Sequence, residues 1–268
     1  MDPVIVAENL SKRFILRHNH AGELKVRFLG LFDQSKRETL EEFWALQGVS
    51  VTIGRGEAVG VVGRNGSGKS TFLKLVAGLH RPTSGRLLVA RGARIGTMIE
   101  LGVGFHGELT GEENVYLNTS IHGLSRADTE SIYPDIVAYS GLEHFMDVPI
   151  KNYSSGMHMR LGFAVAAKLN PDILLLDEVF AVGDADFQQQ CIDTITDFRA
   201  RGKTIFFVSH SSDAVRKICR RVLVLEHGRL VFDGHVDEGL DFYTRLLTGE
   251  PAATGELATE YEAPASVE

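Results

Sequence analysis

The chain has 268 residues, of which 44% are hydrophobic and 24% are charged, a balance typical of a globular protein. Its formal net charge of −7 argues against a generally basic, nucleic-acid-binding surface. The two cysteines, Cys191 and Cys219, suggest no disulfide framework and favour a reduced, cytosolic compartment. We expect no signal peptide, because the start lacks a positively charged n-region followed by a long apolar run. We expect no membrane span, because no stretch approaches about 18 consecutive apolar residues.

The N-terminal part of the chain predicts two strands with a less regular segment between them. Residues 4–6 and 49–53 have strand patterns, and residues 38–44 predict a short helix. Phe14 could stack on a nucleotide base, although a place in the core is the commoner role for a lone Phe. Residues 15–47 interleave basic and apolar side chains. This pattern fits contact with a membrane surface or a partner helix, and it equally fits a solvent-exposed connection between two strands.

A glycine-rich motif of the form G-x-x-x-x-G-K-[ST] follows an apolar strand at residues 58–62. The helical spacing of residues 71–77 comes directly after it and stops at Gly78. This strand, loop and helix form the context that a phosphate-binding loop requires. The candidate nucleotide-binding residues here are Gly63, Arg64, Asn65, Gly66, Ser67, Gly68, Lys69, Ser70 and Thr71.

The chemistry of this loop predicts a nucleoside triphosphate with Mg²⁺. Its glycines let successive N–H groups converge on phosphate oxygens, and the helix N-terminus adds partial positive charge. Lys69 would reach the β- and γ-phosphates, while the Ser70 hydroxyl would bind Mg²⁺. The motif does not distinguish ATP from GTP, and stacking on Phe14 would favour a purine without choosing between them.

The middle of the chain predicts a helical block inserted into an α/β protein. Residues 86–89 and 93–96 are short strands, and residues from 110 to about 170 have helical patterns. Thr110 begins a capping box, and Ser125 starts a further helix.

Within this block a Ser-Ser-Gly sequence precedes the helix predicted for residues 159–169. Ser154, Ser155 and Gly156 could form a second anion site at the start of that helix, or Ser154 could be a plain N-cap. The serines alone do not decide between these two roles.

Two buried strands in the C-terminal half end in polar residues. Residues 173–176 are aliphatic and lead into Asp177 and Glu178. At the carboxyl edge of a parallel sheet, Asp177 would complete the Mg²⁺ shell and Glu178 would orient or deprotonate the attacking water. Residues 204–208 lead towards His210, which could hydrogen-bond the γ-phosphate.

The remaining residues predict a hairpin, a helix and a tail. Residues 221–226 and 229–233 are strands around a turn, and residues 237–247 are a helix. Residues 249–268 contain five Glu and no Lys or Arg, and we expect this acidic tail to be disordered.

The order of these motifs resembles the nucleotide-binding subunits of ABC transporters over about residues 1–247. The matching positions are residues 63–70 (Walker A), 153–157 (an LSGGQ-type signature, here Tyr-Ser-Ser-Gly-Met), 173–177 (Walker B), Glu178, 181–184 (D-loop) and His210 (switch histidine). The Q-loop position holds Glu100 instead of Gln, and a carboxylate there could still coordinate the metal.

This resemblance implies a fold and a domain organisation. The fold class is α/β: a RecA-like P-loop NTPase core with an antiparallel β subdomain and an inserted α-helical subdomain. The ABC ATPase domain would span residues 1–248, with the helical subdomain at about 106–170.

The resemblance also implies a catalytic role for Glu178 and His210, with ATP and Mg²⁺ as cofactors. Two copies would sandwich two ATP molecules head to tail, each Ser-Ser-Gly helix covering the ATP of the other copy. A polytopic permease would be the membrane partner, and the subunit would lie peripherally on the cytoplasmic face of the inner membrane. No nucleic-acid partner is expected.

Within the family, the chain resembles ATPases that export polysaccharides. The resemblance rests on the Tyr-Ser-Ser-Gly-Met signature, the sequence Phe43-Trp44-Ala45-Leu46 before the phosphate loop and the stretch at residues 101–114. The leading hypothesis is an ATPase that powers export of a lipid-linked polysaccharide such as O-antigen, teichoic acid or cell-wall galactan. The alternatives are an ABC transporter ATPase for a drug or lipid, a soluble ABC protein and a nucleotide-binding regulator without turnover.

Overall fold

The computed structural model describes residues 2–18, 39–98, 104–177, 185–209 and 211–249. Its strands are β1 (Pro3–His18), β2 (Thr39–Gly54), β3 (Ala58–Val62), β4 (Ser84–Val89), β5 (Ile95–Met98), β6 (Ile173–Leu176), β7 (Thr204–Val208), β8 (Arg221–Glu226) and β9 (Arg229–His235). Its α-helices are α1 (Lys69–Val76), α2 (Gly111–Ile121), α3 (Arg126–Ser140), α4 (Ser155–Lys168), α5 (Ala185–Ala200), α6 (Ser212–Ile218) and α7 (Val236–Thr248). Within these described ranges, no helix is both long and apolar enough to cross a membrane.

Two sheets organise the described strands. A six-stranded sheet has the order β5-β6-β7-β3-β8-β9, parallel except for β9. An antiparallel sheet has the order β2-β1-β4. Since β3, β6 and β7 run parallel, their carboxyl ends meet at one edge, where the loop after β3 and Asp177 after β6 come together.

The helix after the phosphate loop lies between the two sheets. Phe72 and Leu73 of α1 are fully buried in one cluster with Val59 and Val61 of β3 and residues of the antiparallel sheet. The Phe72 ring meets Phe206 of β7 edge-on, with the centroids 5.2 Å apart. Because apolar side chains cover both faces of β3, the loop at its end is held on a rigid support.

The described helices α2, α3 and α4 form a second packed unit with its own apolar cluster, inserted in the chain between β5 and β6. Both predicted helix starts are confirmed: Thr110 and Glu113 form a reciprocal capping box, as do Ser125 and Asp128. These local signals are strong because each box satisfies two backbone N–H groups that lack intrahelical partners. The domain limits given above stay a prediction.

Two sequence predictions are corrected by the structure. Residues 39–44 belong to strand β2 and not to a helix, because they pair with β1 from Thr39 to Trp44. Helix α4 begins at Ser155, four residues before the predicted start. Three predicted features lie wholly or partly outside the described residues: residues 19–38 of the segment 15–47, residues 101–103 of the stretch 101–114, and the tail from residue 250.

Candidate functional site

The phosphate loop is packed tightly between its neighbours. Gly68 has a φ of 104°, and a Cβ added to it would lie 2.3 Å from the carbonyl oxygen of Ala45 in β2. A Cβ on Gly63 would lie 2.2 Å from the carbonyl oxygen of Leu225 in β8. Glycine is therefore required at both positions, by backbone conformation at Gly68 and by lack of space at both.

Lys69 holds the loop together from inside. Its Nζ donates hydrogen bonds to the carbonyl oxygens of Gly63 (2.7 Å) and Arg64 (3.0 Å), and the residue is 8% exposed. Burial lowers the pKa of the Lys69 ammonium, while the carboxylates of Asp177 and Glu226 oppose this shift. The side chain is thus a partly desolvated cation, which interacts strongly with an anion that enters the loop.

A pocket of about 200 Å³ opens over this loop. It is lined by Phe43, Ala45, Asn65, Gly66, Ser67, Gly68, Lys69, Ser70, Thr71, Asp177 and Val208. The sheet edge therefore brings Asp177 to the phosphate loop, in the arrangement expected for parallel strands. Ser67 Oγ is buried without a hydrogen-bond partner among the described groups, which fits a pocket that receives a polar ligand.

The same pocket contains oxygen donors suited to Mg²⁺. Ser70 contributes a hydroxyl and Asp177 a half-buried carboxylate. Among the residues that the structure describes, no group of three or more His, Cys, Asp or Glu side chains could hold a metal. The Ser70 and Asp177 oxygens are of the type that Mg²⁺ binds, and Mg²⁺ also keeps several waters and takes phosphate oxygens as further ligands.

The aromatic side chain in the pocket is Phe43, which sequence reasoning did not assign to the nucleotide. Phe14 pairs with Phe43 across the β1–β2 ladder but does not line the pocket. The Phe14 ring instead meets His80 edge-on at 5.6 Å, and Lys12 Nζ lies 5.0 Å from its centroid. Residues 39–44 carry no strand periodicity of their own, and Phe43 lies next to the loop only because β2 pairs with β1.

Replacing Phe43 with Ala is expected to weaken ATP binding about tenfold, because base–aromatic stacking contributes about 1–3 kcal/mol per base. Phe14→Ala is the matched control and should bind ATP with nearly wild-type affinity. Titration calorimetry with ATP and with inorganic triphosphate measures both effects. Triphosphate binding should be unchanged in Phe43→Ala, and a larger loss in Phe14→Ala would reverse the assignment.

The Ser-Ser-Gly sequence lies at the exposed start of α4. Ser154 Oγ accepts a hydrogen bond from the Met157 N–H at 3.2 Å, so Ser154 serves as an N-cap. Ser154 and Ser155 are exposed and do not line the pocket at the phosphate loop. Glu100, Glu178 and His210 lie outside the described residues, and their roles stay predictions.

The fold and pocket define a P-loop nucleotide-binding protein with a RecA-like α/β core, an antiparallel sheet and an inserted helical unit. Residues 46–181 match the ABC transporter family, and the chain belongs to that family. The predicted fold class is confirmed.

Three similarities describe the relatives of the chain. It is 45% identical over 251 residues to the O-antigen export system ATP-binding protein RfbB of Klebsiella pneumoniae, covering 92% of this chain and 100% of the relative. It is 41% identical over 240 residues to the teichoic acids export ATP-binding protein TagH of Listeria monocytogenes serotype 4b, covering 90% and 69%. A dimeric ATP-binding cassette solved with ADP and Pi superposes with a TM-score of 0.68 at 23% identity, covering 87% and 98%, and supports the fold alone.

Proposed function

We propose that this chain is the ATP-hydrolysing subunit of an ABC transporter that powers export of a lipid-linked polysaccharide across the cytoplasmic membrane. The observation that carries the proposal is the similarity to an O-antigen export ATP-binding protein over that relative's entire length. The pocket at the phosphate loop supports it, because the loop, Lys69 and Asp177 converge there. Similarity to a teichoic acid export protein favours a glycan polymer over a drug or lipid as cargo.

The pocket residues support a mechanism of γ-phosphate hydrolysis. Backbone N–H groups of the loop bind the phosphate oxygens, and Lys69 leaves its two carbonyl partners to neutralise the β- and γ-phosphates. Ser70 and Asp177 would hold Mg²⁺, which neutralises charge on the phosphates. Glu178 accepts a proton from water as the water oxygen bonds to the γ-phosphorus and the bond to the β–γ bridging oxygen breaks. His210 hydrogen-bonds the γ-phosphate.

A second copy of the chain completes the site in this proposal. Ser154 and Ser155 are exposed at the start of α4 and do not line the nucleotide pocket of their own chain. They are therefore accessible to another subunit. Two copies would bind two ATP molecules head to tail, with each α4 N-terminus directed at the phosphates held by the other copy. ATP would favour the closed dimer, and hydrolysis would open it.

A polytopic permease would provide the membrane path, with this subunit peripheral on its cytoplasmic side. The helical unit α2–α4 would transmit dimer closure to that permease. The lipid-linked glycan would be contacted through the complex, and this chain need not bind it directly.

We expect ATPase activity of the reconstituted complex to rise severalfold when its lipid-linked glycan is added. Turnover is measured for the purified chain alone, with the permease in lipid, and with the glycan. Lipid without the glycan chain is the control. Equal rates in all conditions would contradict the transport assignment. Stimulation by a drug or unglycosylated lipid would favour another cargo, and absence of hydrolysis in every condition would favour a nucleotide-binding regulator.

A further inference from the structure

Arg64 lies in the phosphate loop, and its side chain contacts the last described helix, α7. Its carbonyl oxygen accepts hydrogen bonds from Lys69 Nζ (3.0 Å) and from the Ser67 N–H (3.1 Å). Its Nη2 donates to the carbonyl oxygens of Leu246 (3.0 Å) and Leu247 (3.3 Å) in α7. The Arg64 side chain is exposed and does not line the nucleotide pocket.

The contact satisfies carbonyl groups that the helix itself cannot. The last four carbonyls of a helix lack intrahelical partners, and the C-terminus carries partial negative charge. In α7 the Gly249 N–H, in a left-handed conformation with φ of 74°, bonds the Arg245 carbonyl. The Arg64 side chain donates to the next two carbonyls, so a cation from the loop contributes to the cap of α7.

The rest of α7 is fixed to the core. Val236, Leu240 and Tyr243 are buried in the cluster that also contains Val222 and Val224 of β8. In the last turn, Leu246 is partly buried against the same cluster, whereas Leu247 has 47% of its surface accessible. Arg64 therefore adds a contact from the nucleotide loop to a turn that the core holds through Leu246.

We propose that Arg64 is a positioning residue that couples nucleotide binding at the phosphate loop to docking of the last turn of α7. Lys69 must leave the Arg64 carbonyl to reach a phosphate, so nucleotide binding changes the hydrogen bonding of the residue that caps α7. Coupling between two sites is reciprocal: whatever loosens the last turn of α7 must also change nucleotide affinity. This inference rests on the nucleotide-binding part of the proposed function.

Arg64→Ala is expected to weaken binding of a non-hydrolysable ATP analogue about two- to fivefold, the range for an exposed cation at a helix C-terminus. KM for ATP should rise by the same factor with kcat unchanged, because the contact does not involve the reacting atoms. Arg64→Lys should recover part of the affinity, since an ammonium can still donate to one carbonyl.

The structure offers a matched control in Arg199, whose Nη1 donates to the carbonyl oxygens of Lys217 (3.2 Å) and Ile218 (3.1 Å) at the end of α6. Arg199→Ala removes the same kind of helix cap without touching the phosphate loop. It should leave analogue affinity unchanged. An equal loss in Arg199→Ala and Arg64→Ala would show general destabilisation and overturn the coupling.

A double-mutant cycle with Leu247→Gly tests the coupling from the helix side. Glycine in this exposed last turn favours fraying of the helix end, because glycine has the greatest backbone freedom to lose on folding. If Arg64 transmits the effect, Leu247→Gly weakens analogue binding in the wild-type background but not in Arg64→Ala. Additive losses in the double variant would overturn the proposal.

Amide hydrogen exchange of the full chain distinguishes coupling from a purely structural role of Arg64, because a purely structural contact would not make exchange in α7 respond to the analogue. The analogue should change exchange of the amides at residues 245–249 in wild type and leave it unaltered in Arg64→Ala. If the analogue leaves those amides unaltered in wild type, the coupling is wrong. Failure of wild type to bind the analogue at all would instead reject the nucleotide-binding proposal.

Discussion

Replacing Lys69 with Ala is expected to weaken ATP binding by about 100-fold or more. Lys69 is 8% exposed and lines the pocket in which we expect the phosphates to bind. Hydrogen bonds to charged groups contribute about 1.5–3 kcal/mol each, and Lys69 would make at least two to the β- and γ-phosphates. Equilibrium titration with a fluorescent ATP analogue measures the loss, and ATPase activity should fall with it.

The Lys69 variant needs a control for folding, because Lys69 also bonds the Gly63 and Arg64 carbonyls. Lys168→Ala removes a lysine that pairs with Asp135 at 3.5 Å in the helical unit, away from the pocket. It should bind ATP normally. If Lys69→Ala has wild-type thermal stability and binds ATP within threefold of the wild-type affinity, Lys69 does not contribute to phosphate binding.

Glu178→Gln is expected to lower ATP turnover by about 10²–10⁴-fold while ATP binding is retained, the range for loss of a general base. Glutamine keeps the shape of the side chain but cannot accept the proton of the attacking water. ATP should then accumulate in a closed dimer that no longer opens by hydrolysis. Single-turnover hydrolysis and size-exclusion chromatography with ATP measure the two effects.

The matched control for Glu178 is Asp172→Asn, just before the opposite end of β6. Asp172 accepts a hydrogen bond from the Arg94 N–H at 3.0 Å and pairs with Lys203 at 3.3 Å. Its loss should reduce stability but not the rate of the chemical step. Wild-type turnover in Glu178→Gln would assign the base to another residue.

Local sequence signals were enough to predict the elements on which the site is built. The phosphate loop lies between β3 and α1 as predicted, and the β8–β9 hairpin forms around the expected turn. The capping boxes at Thr110 and Ser125 are also confirmed. These features depend on residues within a few positions of one another, so their physical causes are contained in short stretches of sequence.

The prediction that residues 38–44 form a helix was wrong because helix propensity is weak compared with sheet pairing. Leu40, Glu41 and Glu42 are acceptable in helices, but they pair with Arg17, Leu16 and Ile15 of β1, respectively. This partner strand is more than twenty residues away in sequence. The missed strand also concealed the position of Phe43 beside the phosphate loop.

The sequence by itself determined the family motifs, the loop that binds phosphate and the strand that delivers Asp177, because each is encoded by adjacent residues. Only the tertiary structure decided which aromatic side chain lines the pocket and where the Arg64 side chain goes. Phe43 reaches the pocket through the pairing of β2 with β1, and Arg64 reaches carbonyls 182 and 183 positions away. Such contacts depend on how the whole chain packs, and no local period or spacing specifies them.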